Sequence, residues 1–367
     1  MMFTVLGTPG DRRTELFAAA CRGAGLPPPH LVPWTDAVRG DPSIAPGSLL
    51  RLDSPGENAA VDALLRGPGN PARVGGGARW YASFTSALER VAAAGERAGA
   101  RPLNDVAEIA VMCDKRRCHA RLESAGVPVP EALPPVHGYA ELRERMADAG
   151  MPRVFVKPAH GSSASGVVAL QTARRGRIRA ISSAAPSPAG DGYYNSLRVQ
   201  TYETEAEVAR LIDTLAPDGL HVERWLPKAA LDGRVLDLRV VVTAGEPSHV
   251  VVRSSRSPMT NLHLGGTRGD VDAVRRAMGE SGWARALDVA ARAAACFPRS
   301  LMVGVDLLVQ IGWQRYAVGE VNAFGDLLPG ITGLPGTRFA GQDTYTAQVT
   351  AATAQVTATT AQVIALA

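Results

Sequence analysis

Asp306, Glu320 and Asn322 are hard-oxygen side chains set in two apolar runs, GVDLLV (304–309) and VGEVN (318–322), with Gly312 between them. Both runs read as strands of one hairpin. Successive strand side chains alternate faces, so Glu320 and Asn322 point the same way, and antiparallel pairing brings Asp306 to the neighbouring strand. A single acid on a strand is ordinarily just solvated. Three oxygen ligands among apolar neighbours are different, because buried unpaired carboxylates are costly. The set suits Mg²⁺, which keeps open positions for water and phosphate oxygens.

A second group is VFVKPAHGSSASGV (154–167). A β-prone run delivers Lys157 and is followed by a loop of small residues that includes Gly161, Ser162, Ser163 and Gly166. Such a loop lets backbone N–H groups approach phosphate, and lysine adds a point charge. The spacing is neither GxxxxGK[ST] nor GxGxxG, and a flexible hairpin explains the loop equally well. The run from Val222 to Lys228 carries Glu223, Trp225, Leu226 and Lys228 at the end of a strand. It reads either as the edge of an adenine pocket, with Glu223 accepting from an exocyclic amine, or as an amphipathic strand end. Arg239 interrupts the apolar run Leu236–Val242, and Arg253, Arg256 and TNLHLGG (260–266), which holds Asn261, follow. One such arginine is best explained by a structural ion pair. Three with Asn261 and a Gly-Gly pair point to an anion site.

The elements that position these groups change character along the chain. Phe3–Gly7 and 48–53 read as strands, and 14–24, 57–66 and 80–98 as helices, which together make a small α/β lobe. Asn104-Asp105 and Asp114 offer N-cap side chains, the last for a helix 115–125. Beyond residue 150 short strands alternate with glycine-rich turns, and helices are expected at 205–215 and 272–296. Ala244-Gly245 and Gly312 mark antiparallel hairpins. The tail repeats Thr-Ala-Gln-Val from Thr346, Thr353 and Thr360, placing Val349, Ala352, Val356, Thr359, Val363 and Leu366 on one helical stripe. A terminal helix docked on the body, or a frayed tail, is expected there, with homo-oligomer contact second.

Composition narrows the class. The 367 residues are 46% hydrophobic and 20% charged, as in a globular protein with a full core. The formal net charge of +4 has no Lys/Arg block behind it, so nucleic acid is not expected. Cys21, Cys113, Cys118 and Cys296 form no CxxC or zinc spacing and read as reduced thiols, the usage of a cytoplasmic protein. No signal peptide is visible, and seven Thr and three Gln make 344–367 too polar for a membrane span. Of 39 basic residues only Lys115, Lys157 and Lys228 are lysines, and all three fall among the motifs above.

Taken in order, these motifs resemble the ATP-grasp superfamily over residues 100–345, and most nearly its RimK and glutathione synthetase-like carboxylate–amine ligases. The resemblance implies an α+β fold in which two subdomains clamp ATP. It divides the chain into an N-terminal α/β lobe (1–103), an ATP-grasp domain (104–345) and a tail (346–367). It implies phosphate contacts for Lys115 and Lys157, a lid loop at 161–166 and adenine-edge contacts at Glu223 and Leu226. It also implies metal binding by Asp306, Glu320 and Asn322, and a place for Arg239 near the γ-phosphate. The activity implied is ATP-dependent joining of a small-molecule or peptide carboxylate to an amine through an acyl phosphate, with Arg239 or Arg253 stabilising the tetrahedral intermediate. A kinase on the same scaffold and a non-catalytic nucleotide-binding module are the competing readings. The substrate end is silent. The polar turn Arg51–Asn58 reads as a substrate or lobe contact, or as a turn whose Asp or Ser caps a helix, and Asp326 as an amine contact or a solvated loop residue.

Overall fold

β1 (Phe3–Gly7) is buried along its whole length, which requires cover on both faces. The chain supplies it with α1 (Arg12–Gly23), β2 (His30–Pro33), α2 (Trp34–Arg39), β3 (Leu49–Leu52), α3 (Ala59–Arg66), α4 (Gly77–Arg97) and β4 (Arg101–Pro102). The four strands pair in parallel in the order β2-β1-β3-β4. The helices are the crossovers that parallel pairing requires. β2 and α2 are absent from the sequence reading because Pro27–Pro29 and Pro33 look like loop. A strand beside prolines is tolerated at a sheet edge, where β2 lies. The computed structural model describes residues 1–40, 42–56, 58–161, 165–174, 176–187, 190, 192–325 and 327–366, with side chains described as far as 358.

Next come α5 (Val106–Met112), α6 (Lys115–Ser124), α7 (Tyr139–Asp148), β5 (Arg153–Pro158), β6 (Val168–Ala173), β7 (Arg177–Pro186), β8 (Tyr193–Tyr202), α8 (Glu205–Leu215) and β9 (Leu220–Arg224). The strands form an antiparallel sheet in the order β8-β7-β6-β5-β9. Leu142, Met146, Val208 and Leu211 from α7 and α8 pack on Val154, Val156, Val168 and Val222 beneath it. α7 and β7 are unassigned by the sequence reading. In β7 the arginines 177 and 179 hide an ordinary alternation of buried and exposed residues.

The third sheet holds β10 (Ala230–Leu231), β11 (Arg234–Thr243), β12 (Glu246–Ser255), β13 (Thr267–Arg268), β14 (Met302–Val309) and β15 (Tyr316–Asn322), crossed by α9 (Val271–Ala295). Its order is β13-β12-β11-β14-β15, antiparallel throughout, with β10 on β11. The hairpin turns fall at Ala244-Gly245 and Gly312-Trp313, all four residues with positive φ. α10 (Thr344–Leu366) starts two residues before the expected tail. Its first half packs Tyr345, Ala347, Val349, Ala351 and Ala352 onto Phe3, Phe17 and Cys21, a broader buried face than the single stripe. Thr359, Val363 and Leu366 lie outside the described side chains. Among the described residues no helix is long and apolar enough to cross a membrane.

Candidate active site

Strand register assembles the site. β5 and β9 pair Phe155 with Glu223 and Lys157 with His221, so these four side chains share one face of the middle sheet. In the third sheet Asp237 lies opposite Arg253 and Leu308, Arg239 opposite Asp306, Asp306 opposite Glu320, and Gly304 opposite Asn322. All of these therefore share one face as well. The two faces are tied together: Lys157 Nζ donates to the Gly319 carbonyl across the gap at 3.4 Å. Lys115, the first residue of α6, pairs with Glu320 at 2.9 Å and donates to the Gly161 carbonyl at 2.7 Å. Asp114 sets that lysine in place by capping α6, accepting from the Arg116 and Arg117 amides.

Every buried acid here has cationic partners. Glu223 meets Lys157 at 2.5 Å and accepts from His221 Nε2 at 3.2 Å. Burial pushes its carboxyl upward, but Lys157 and His221 outweigh it and bring the pKa down to about 2. Asp237 takes Arg253 at 2.8 Å, Lys228 at 3.3 Å and the Thr260 hydroxyl. Despite burial, Arg253 and Lys228 hold it well below the usual carboxylate range. Asp306 accepts a two-pronged contact from Arg239 and another from Arg253 at 3.1 Å, and these likewise outweigh burial and lower it. Burial opposes charge on Lys115, yet Glu320 raises its pKa on balance. Lys228 goes the other way, lowered by burial and by Arg253 against the pull of Asp237. Five cations (Lys115, Lys157, Lys228, Arg239, Arg253) thus face four carboxylates (Glu223, Asp237, Asp306, Glu320).

Of the residues singled out by sequence, Lys115, Lys157, Glu223, Arg239, Arg253, Asp306, Glu320 and Asn322 come together. Lys228 is buried against Asp237 and Thr260, where it donates to the Thr260 hydroxyl at 2.9 Å. Trp225 is partly buried, its ring 5.3 Å from Phe155 and under the Arg153 guanidinium, and Leu226 follows just beyond β9. Asn261 caps the turn Leu262–Leu264 by accepting from the His263 amide. Arg256 is exposed. Gly161 and Gly166 flank the small-residue loop; Gly166 has φ 67°, and a Cβ there would meet Val74 at 2.5 Å. Ser162, Ser163, Glu57 and Asp326 lie outside the described residues. The turn Arg51–Asn58 is capped by Asn58 rather than by Asp53 or Ser54. Arg51 pairs with Asp53 at 2.5 Å, and its guanidinium lies over the rings of Phe17 and Tyr345, joining the first sheet to α10.

Sequence reasoning missed Phe155, His221, Asp237 and Leu308. Each stands two residues from a group it did find (Lys157, Glu223, Arg239, Asp306), so strand alternation would have put them on the same face. It also missed Gly304 and Gly325, whose backbones touch: a Cβ on Gly325 would lie 2.6 Å from Gly304 Cα. Arg239 runs over this pair, its Cδ 3.2 Å from where a Gly304 Cβ would sit. The donor set at Asp306, Glu320 and Asn322 fits magnesium by its chemistry, two carboxylates and an amide on one sheet face. No cluster of three or more His, Cys, Asp or Glu is placed for a metal among the described residues.

Neither a family model nor a curated protein matches the sequence. Solved structures do match. D-cycloserine synthetase DcsG superposes with a TM-score of 0.55 at 18% identity, over 95% of this chain and 98% of its own. The macrocyclase MdnC, bound with precursor peptide MdnA from Microcystis aeruginosa MRC, gives 0.52 at 11% identity over 96% and 100%. The ATP-grasp ligase PsnB, complexed with a phosphomimetic variant of its minimal precursor, Mg and ADP, gives 0.50 at 17% over 88% and 90%. At such identities the likeness is one of architecture: two antiparallel sheets facing each other across a charged cleft, behind a parallel α/β sheet. The chain has the ATP-grasp fold.

Proposed function

We propose that the chain is an ATP-dependent carboxylate–amine ligase, acting on a small-molecule or peptide acid and an amine co-substrate. One observation carries the reading: four cations (Lys115, Lys157, Arg239 and Arg253) and the Asp306–Glu320–Asn322 oxygen set converge on the gap between two facing sheets. A polyanion that must be held and neutralised is what such a gap suits. Phe155, Trp225 and Leu308 offer apolar surface for a purine at the same gap, beside Glu223. Asp306, Glu320 and Asn322 would hold magnesium, which supplies charge neutralisation to phosphate oxygens.

The chain's own groups do the rest. Lys115 and Lys157 bring positive charge from both sides of the gap. Arg239 and Arg253, both held beside Asp306, can meet negative charge that develops on a phosphorylated acid and on the tetrahedral adduct formed by the amine. Water is kept away where Phe155, Val167, Ile181 and Val199 of the middle sheet pack on Met259 and Leu264 of the loop after β12. Dependence on ATP argues for a cytoplasmic enzyme. The three sheets and α10 support reading the chain as a lobe to residue 103, a catalytic domain to 345 and a tail.

The test is a hydroxylamine trap: protein, Mg-ATP, hydroxylamine and pools of amino acids, small acids and short peptides, read by mass spectrometry. A hydroxamate formed with ADP is the expected result and names the acid. ADP with a new phosphorylated compound and no hydroxamate would replace the ligase by a kinase. ADP binding without turnover on any pool would leave a nucleotide-binding module.

A further inference from the structure

Glu223 is 3% exposed and has two oxygens to satisfy. Oε1 holds Lys157 at 2.5 Å, and Oε2 takes His221 Nε2 at 3.2 Å. Lys157 itself is divided between that carboxylate and the Gly319 carbonyl of the facing sheet, so its ammonium spans the gap between β9 and β15. His221 is in turn packed against His119, with ring centroids 4.9 Å apart at 51°. His119 Nε2 lies 2.8 Å from the Pro130 carbonyl, an acceptor only, so that nitrogen carries the proton and the ring is fixed. Two imidazoles, one turn of α6 beyond Lys115 and two residues before Glu223 on β9, thus line the back of the cleft with Lys115 and Glu320.

We infer that His221 is a positioning residue for Lys157: by committing one oxygen of Glu223, it leaves a single oxygen for the lysine and keeps the ammonium extended toward the nucleotide. His119 holds the His221 ring in the orientation that makes this hydrogen bond. Without the imidazole donor, Glu223 Oε2 is a buried acceptor in need of a partner. The nearest mobile donor is Lys157, which would close onto both oxygens and withdraw from the gap. Burial also keeps His221 largely neutral at neutral pH, lowering its pKa against the pull of Glu223. The imidazole therefore orients the carboxylate without competing with Lys157 for its charge. This rests on the nucleotide-binding part of the proposed function and not on ligation.

The experiment titrates Mg-ADP into wild type, His221→Leu, His221→Gln and the double variant His119→Leu/His221→Leu by calorimetry, with melting temperatures alongside. His221→Leu should weaken ADP about tenfold, while His221→Gln, which retains an N–H donor, stays within about threefold of wild type. The double variant should stay weak for ADP. In turnover the leucine variant should show a raised KM for ATP with kcat nearly unchanged, because the lysine contact serves ground and transition states alike. Should the leucine variant not fold, His221→Met against His221→Gln makes the same comparison. Wild-type affinity in His221→Leu, equal weakness of the Gln and Leu variants, or recovery of ADP binding in the double variant would each overturn the inference. Wild type that binds Mg-ADP yet forms no hydroxamate sinks the ligase reading alone. Wild type that does not bind Mg-ADP sinks both.

Discussion

Glu223 and Asp237 stay ionised inside the protein only because lysine and arginine groups reach them, and each depends on its partner for that reason. Lys157→Met removes the main partner of Glu223 and leaves a buried anion with one hydrogen bond. Breaking such a pair costs about 3 kcal/mol, so urea denaturation should show a loss of that order together with weaker ADP binding. An unchanged urea midpoint would mean that Lys157 is not the group that stabilises Glu223. The titrating groups also set the pH response. Glu223, lowered to about 2, and Asp237, also lowered, add stability that is complete above their unfolded values and is lost as pH falls below about 4.5. His160, His221 and His249 are lowered mainly by burial, and their contribution begins to fall below about pH 6.5. Urea midpoints should therefore be flat between about pH 7 and 8, decline gently below 6.5 and drop steeply below 4.5, and they should fall again above about 9 as the buried thiols Cys21, Cys113 and Cys118, raised by burial, resist ionising. A midpoint that rises on acidification below about pH 7 would contradict the ion pairing described. At this scale the sequence was legible for the charged groups themselves. Their pairings were not, because Lys228 could equally have faced a nucleotide as Asp237.

Caps and turns, at the scale of elements, were readable because they are local. Asp105 and Asp114 cap α5 and α6, and Ala244-Gly245 and Gly312 turn the two hairpins that set the register of Asp306 against Glu320. β2, α2, α7 and β7 escaped because prolines or arginines masked patterns that packing nevertheless stabilises. The contact between Gly304 and Gly325 could not be read at all, since nothing in either neighbourhood announces that two backbones meet. It has a consequence for the site. Gly325→Ala should cost about 1–3 kcal/mol by overpacking and displace Arg239 from Asp306. The expected readout is a lowered melting temperature together with a loss of kcat larger than the loss of ADP affinity. An alanine variant with wild-type kcat would mean that Arg239 does not depend on this approach.

Over the whole molecule, the groups that tie the two facing sheets among the described residues include Lys157 and Lys115 on the charged side and the apolar contact of Met259 and Leu264 with Phe155, Val167, Ile181 and Val199. Leu264→Asp places a charge in that contact, where burial without a partner is unfavourable. Closure should weaken while each sheet stays folded. Limited proteolysis after residue 255 should become faster, and ADP formed per hydroxamate should rise as water enters. Unchanged cleavage and unchanged coupling would show that the contact is not what keeps the cleft shut.

The sequence by itself determined the order of its elements and the groups that carry charge, because strand alternation, N-caps and turn glycines act within a few residues of their cause, and the class of fold through the family resemblance of its motifs. Only the tertiary structure decided which carboxylate meets which cation, that His221 and His119 stand behind Glu223, and that α10 packs its first half on α1. Those outcomes depend on contacts between segments as far apart in the chain as β1 and α10. Their energies come from burial and charge pairing, which no local pattern encodes.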